Sequence, residues 1–123
     1  MATQIKTTDF DPAAMLCRDC VRVDIRANSM VDLMQAMAEP LARATGIDQD
    51  FIAEALVQRE RVGTTAFGGG TAVPHARMPH LTRVVGAFAT LDPPLELGAL
   101  DGEPVAVVYA LLSPQSAGAD HLK

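Results

Sequence analysis

The chain has 123 residues, which is enough for one domain with a real but small hydrophobic core. Apolar residues make up 49%, yet there is no Trp, one Tyr and four Phe, so that core must be aliphatic, with six Met. A net charge of −5 without a basic, aromatic-laced stripe argues against nucleic-acid binding, and no apolar run nears the ~20 residues of a membrane span.

Residues 1–20, broken by Pro12, read as an irregular lead-in to a single domain over 21–123. The first residues lack the layout of a signal peptide, which implies a cytoplasmic protein. Val21-Arg22-Val23-Asp24-Ile25 alternates at period two and predicts a half-buried strand. Ser29 reads as an N-cap with Asp32 three residues on, opening a helix to Thr45 whose apolar face uses Val31, Met34, Ala38 and Leu41. Pro40 is expected to kink that helix or end its bonding early, and Gly46 to stop it. Asp48 caps a second helix through Arg59-Glu60, with Phe51, Ile52, Ala55 and Leu56 buried.

Residues 61–70 read as a polar, glycine-rich loop, and Thr71–Val73 as a short strand leading to His75. Val84–Leu91 predicts a long strand that Asp92-Pro93-Pro94 breaks. Val105–Leu112 is apolar on both phases, as in a strand buried on both faces, and Ser116 to Lys123 looks like the start of another helix. The order predicts an α/β fold with a mixed sheet.

Thr71-Ala72-Val73-Pro74-His75, fed by Gly68-Gly69-Gly70, carries the most chemistry. Glycines remove side chains that would bar a large anion from the backbone. A histidine near neutrality is nucleophilic, and the preceding proline restricts its backbone, which suits an imidazole that takes up a phosphoryl group. The plainer alternative is a structural histidine at a strand end.

Cys17-Arg18-Asp19-Cys20 is a C-x-x-C, but it precedes the first predicted strand rather than opening a helix. A four-ligand zinc site would have to borrow His75 or His80. Two incidental small residues is the plainer reading, and two cysteines make no disulfide framework. No P-loop lysine follows the glycines.

The run from Gln58 to Arg77, with Arg59-Glu60, Gly63-Thr64-Thr65, the glycines and Ala72-Val73-Pro74-His75-Ala76-Arg77, resembles the phosphorylated segment of phosphotransferase-system EIIA domains of the mannitol/fructose type. Leu91-Asp92-Pro93-Pro94, Leu100 to Val105, Leu111 to Pro114 and His121-Leu122 extend the resemblance over residues 20–123, and the nitrogen-regulatory branch is the nearest. It implies a three-layer α/β/α sandwich with a mixed central sheet and a C-terminal helical region cut short at Lys123. It implies that His75 is the phosphoacceptor, His121 a second active-site histidine and Arg59 a pocket arginine. The implied partners are an HPr-type phosphocarrier and either an EIIB protein or a regulatory target, with no metal or cofactor. Three rival readings are an EIIA of fructose/mannitol-type uptake, a module that regulates by contact alone, and a thiol or metal protein built on the C-x-x-C. Ala76 and His80 stand where the family carries glycine.

Overall fold

The computed structural model describes residues 16–115, with side chains from residue 20 onward. Met1 to Met15 and the predicted helix start at Ser116–Lys123 lie outside the described residues. The elements are β1 (Leu16–Ile25), α1 (Met30–Thr45), α2 (Gln49–Val62), β2 (Ala66–Gly68), β3 (Thr71–Ala72), β4 (His75–Met78), β5 (Val85–Leu95) and β6 (Val105–Pro114). The first strand therefore starts five residues before the alternating stretch, and the C-x-x-C lies within it rather than ahead of it. Cys20 is buried and disulfide-bonded, where the sequence pattern pointed to incidental small residues. The Cys17 side chain is outside the described ones.

Both helices start where their caps put them. The Ser29 hydroxyl accepts from the Asp32 amide at 3.1 Å, and the Asp48 carboxylate accepts from the Phe51 amide at 3.0 Å. Gly46 closes α1 with φ 78°, and its amide donates to the Ala42 carbonyl at 2.8 Å. As expected, α1 runs to Thr45, and Pro40 lies inside it. The bond it forfeits costs ~3 kcal/mol. Burial of Met34, Met37 and Leu41 on the same helix, at ~1.5–3 kcal/mol each, more than offsets that.

The buried face of α1 is Leu33, Met34, Met37, Ala38 and Leu41, while Val31 sits on the exposed side. In α2 the face is Ile52, Ala53, Leu56 and Val57, and Phe51, expected inside, is 51% exposed. Each helix has one core stripe, and an apolar residue out of its phase goes to solvent. The helix also extends to Val62, and β2 forms inside the stretch read as a loop.

The strands form one mixed sheet in the order β1-β5-β6-β3-β2. The central pair β5–β6 is antiparallel, β1 runs parallel to β5, and β3 and β4 run parallel to β6, one beyond the other along it. β5 does not stop at Asp92-Pro93-Pro94. A register shift between Thr90 and Leu95 absorbs the prolines, which lack a ladder N–H, and pairing resumes at Leu95–Val105. α1 packs on β1, β5 and α2, and α2 packs on β4. Val85, Ala87, Ala89 and Leu91 of β5 and Val108, Ala110 and Leu112 of β6 are buried as alternate residues of their strands. The result is an α/β sandwich. Among the described residues Val107, Tyr109 and Leu111, on the other phase of β6, are half-buried rather than fully enclosed.

Gly86 lies on that second phase, opposite Leu111. A Cβ there would sit 2.6 Å from Tyr109 Cε1 and 3.1 Å from Leu111 Cδ2. Gly86→Ala should therefore destabilise the fold by about 1–3 kcal/mol through overpacking. An unchanged urea midpoint would show that the Tyr109 ring swings clear without cost.

Candidate functional site

β4 exists because β6 outruns β3. The Thr71–Val107 and Ala72–Val108 pairs end at Val73-Pro74, and His75 resumes the ladder opposite Leu111. The Leu111 amide donates to the Pro74 carbonyl at 2.9 Å, which sets the parallel hydrogen-bond phase. In that phase Ala76 and Met78 bond toward β6, while the amides of His75 and Arg77 point off the strand's open edge. Side chains alternate as well. Met78 is buried and Ala76 half-buried, whereas His75 and Arg77 are exposed. Ala76 keeps a negative φ, so its methyl group in place of a glycine introduces no strain.

The His75 Nδ1 lies 2.9 Å from the carbonyl oxygen of Val73. A carbonyl only accepts, so Nδ1 carries a proton, and in the neutral ring Nε2 then holds the lone pair. Around the ring lies an open cleft of about 560 Å³ lined by Ala55, Gln58, Arg59, His75, Ala76 and Arg77. Two of those six are arginines and none is a carboxylate. Such a lining favours an anion, and guanidinium N–H groups match the geometry of phosphoryl oxygens.

Arg59 stands in the last turn of α2, where its Nη1 donates to the Gly63 carbonyl at 2.8 Å. That bond satisfies a helix-end acceptor and sets the direction of the side chain. The structure thus brings Arg59 and His75 to one cleft, and His121 lies outside the described residues. Arg77 and Gln58 were missed as lining residues. Period two from His75 would have found Arg77 had residues 75–78 been read as strand. His80 is exposed, does not line the cleft, and holds φ 66°, the left-handed region that favours glycine.

The glycine run is not part of this cleft. Gly68, Gly69 and Gly70 make the β2–β3 turn with φ of 122°, 67° and 76°. Thr71, which follows them, is four positions along β6 from His75, or ~13 Å. The anion the turn receives is the chain's own. The Gly69 amide donates to Asp101 Oδ2 at 2.9 Å, and the Glu103 amide to Oδ1 at 3.0 Å. Those two bonds, that from Gly69 first, hold the Asp101 carboxyl below the usual carboxylate range. The expectation that the glycines open the backbone to a phosphate is therefore corrected. They serve a hairpin turn locked by a carboxylate.

Among the described residues no three His, Cys, Asp or Glu side chains converge as a metal site. No helix among them is long and apolar enough to cross a membrane.

Residues 14–123 match the family described as phosphoenolpyruvate-dependent sugar phosphotransferase system, EIIA 2. The chain belongs to the EIIA 2 family. Among its relatives, the nitrogen regulatory protein of Bradyrhizobium diazoefficiens is 44% identical over 99 residues, covering 80% of this chain and 65% of that protein. The chain thus spans just under two thirds of that relative's length. The crystal structure of the nitrogen regulatory protein IIA-Ntr of Neisseria meningitidis superposes with a TM-score of 0.80 at 30% identity, over 89% of this chain and 75% of that one. The Escherichia coli mannitol enzyme IIA, solved in complex with phosphorylated enzyme IIB, gives a TM-score of 0.67 at 12% identity, over 86% and 75%. At that identity the likeness speaks for the shared EIIA fold alone.

Proposed function

We propose that this chain is a phosphoryl relay, with His75 taking a phosphoryl group on Nε2 from a phosphohistidine carrier of the HPr type. The supporting observation is the ring itself, which is exposed and has Nδ1 tied to the Val73 carbonyl, leaving Nε2 as the nucleophile. As the Nε2–P bond forms, the donor's N–P bond breaks and its electron pair returns to the donor imidazole. No proton has to change hands at the phosphorus. The exchange therefore asks mainly for position and charge. Arg59 and Arg77 are the groups that would hold the resulting dianion. His121 is assigned the second histidine of the site on the family resemblance.

Similarity to nitrogen regulatory proteins from two organisms favours the regulatory branch, in which the phosphorylation state is the signal read by a target protein. Passage to an EIIB protein is the sugar-uptake version of the same chemistry, and the mannitol complex is its precedent in a protein of this fold.

Incubation with phosphoenolpyruvate and the upstream carriers should add one phosphate per chain, labile to acid and stable to alkali. Carriers that phosphorylate another EIIA protein in the same tube but leave this chain unmodified would refute the relay and favour control by contact alone.

A further inference from the structure

Glu60 is a carboxylate only 8% exposed, on the last turn of α2, between Arg59 and Arg61. Among the described residues it makes no ion pair. A buried charge is costly unless hydrogen bonds replace its water, and one turn of chain supplies them here. Oε2 accepts from Thr64 Oγ1 at 2.9 Å and from the Thr65 amide at 3.0 Å, and Oε1 accepts from Thr65 Oγ1 at 2.7 Å.

The bonds then continue toward the cleft. The Thr65 carbonyl accepts from the Val73 amide at 3.1 Å, and the Val73 carbonyl accepts from His75 Nδ1. Thr65 thus commits its amide and hydroxyl to Glu60 and its carbonyl to Val73. The peptide that carries the Val73 carbonyl ends in Pro74, which has no N–H to anchor it. The direction of that carbonyl depends on the tie through the Val73 amide.

We propose that Glu60 is a positioning residue, which through Thr65 and Val73 fixes His75 in its Nδ1–H tautomer and keeps Nε2 as the atom open to phosphate. The importance of that tautomer for transfer rests on the relay reading, whereas the coupling between Glu60 and the ring does not. Glu60→Gln turns one acceptor oxygen into an amide donor facing groups that also donate. A displaced carbonyl would release the ring to sample both tautomers and other orientations. Misplacement of a reacting group by a fraction of an ångström to 1 Å slows a reaction by about 10-fold to 100-fold.

The test is long-range proton–nitrogen NMR of the imidazoles above their titration range, with His75 assigned by substitution, alongside the initial rate of phosphorylation. Wild type is expected to show a protonated Nδ1 and an unprotonated Nε2. Glu60→Gln should show mixed tautomers and a rate lower by about 10-fold to 100-fold. Thr65→Val, which keeps the backbone bonds and removes one hydroxyl, should shift the tautomer partway and serves if Glu60→Gln does not fold. Thr64 Oγ1 also accepts from the Ala66 amide, in the peptide that carries the Thr65 carbonyl, so Thr64→Val should shift the tautomer too, whereas Arg61→Ala, exposed beside Glu60 and outside the cleft, should leave it alone. A wild-type tautomer and rate in both Glu60→Gln and Thr65→Val, even with a lower melting temperature, would reduce Glu60 to a structural role. An equal shift in Arg61→Ala would overturn the path. A tautomer shift in Glu60→Gln, in a protein that never takes phosphate, would uphold the positioning role and refute the relay.

Discussion

His75→Gln should take up no phosphate at all, and Arg77→Ala should slow uptake by about 10²-fold to 10³-fold. The first loss is complete because Gln offers neither the lone pair nor the leaving ability of an imidazole. The second follows from removing a charged donor at the point where negative charge gathers, an effect of ~2.7–4 kcal/mol on the barrier. Arg59→Ala should lie below Arg77→Ala, because one of its nitrogens is already bound to the Gly63 carbonyl. Rates of label transfer from the phosphorylated carrier, measured on folded proteins, check the ranking. Label persisting in His75→Gln would move the acceptor elsewhere, and an unaffected Arg77→Ala would take that residue out of the site.

Leu56→Ala should cost the fold about 2–5 kcal/mol. Leu56 has no exposed surface, and truncation leaves a cavity that a helix wedged against both α1 and β4 closes poorly. For a domain with ~5–15 kcal/mol in hand, that is a large part of the whole. Phe51→Ala on the same helix is the matched contrast. Half of that ring is in water, so its loss should be about 1 kcal/mol or less. Denaturant melts followed by far-UV circular dichroism separate the two. Equal losses would mean that Phe51 is in the core after all, as the sequence pattern implied.

That contrast shows where reading the sequence ran out. Ser29 and Asp48 are legible as caps because a cap is settled within four residues, and the structure has both bonds. Phe51 and Val31 misled because hydrophobicity alone does not fix which stripe faces inward when several apolar residues surround a helix. Local chemistry marks Pro40 as a kink or an early end to the bonding of α1, and Asp92-Pro93-Pro94 as a break. In the structure α1 is held by its buried face and β5 by its partner β6, both of which are tertiary. The cleft divides in the same way. The motif marks His75 and Arg59 as neighbours in function, but Arg77 becomes visible only once β4 is known to be a strand. Glu60 looks like one more solvated helix charge until Thr64 and Thr65 fold back to it. The glycines misled most, since a turn of positive φ and an anion cradle have the same composition, and only Asp101 tells them apart.

The Asp101 lock also gives the sheet a polarity from end to end. Alongside β6, carboxylates of Asp101 and Glu103 mark the approach to one end, and the guanidiniums of Arg59 and Arg77 mark the other. A visitor presenting a doubly charged group is repelled from the hairpin and drawn to the imidazole, so the field itself selects which end is met first. Thr71 to His75 alone spans ~13 Å, more than the ~8 Å over which physiological salt lets charges act, so this guidance belongs to dilute buffer and fades as salt is added.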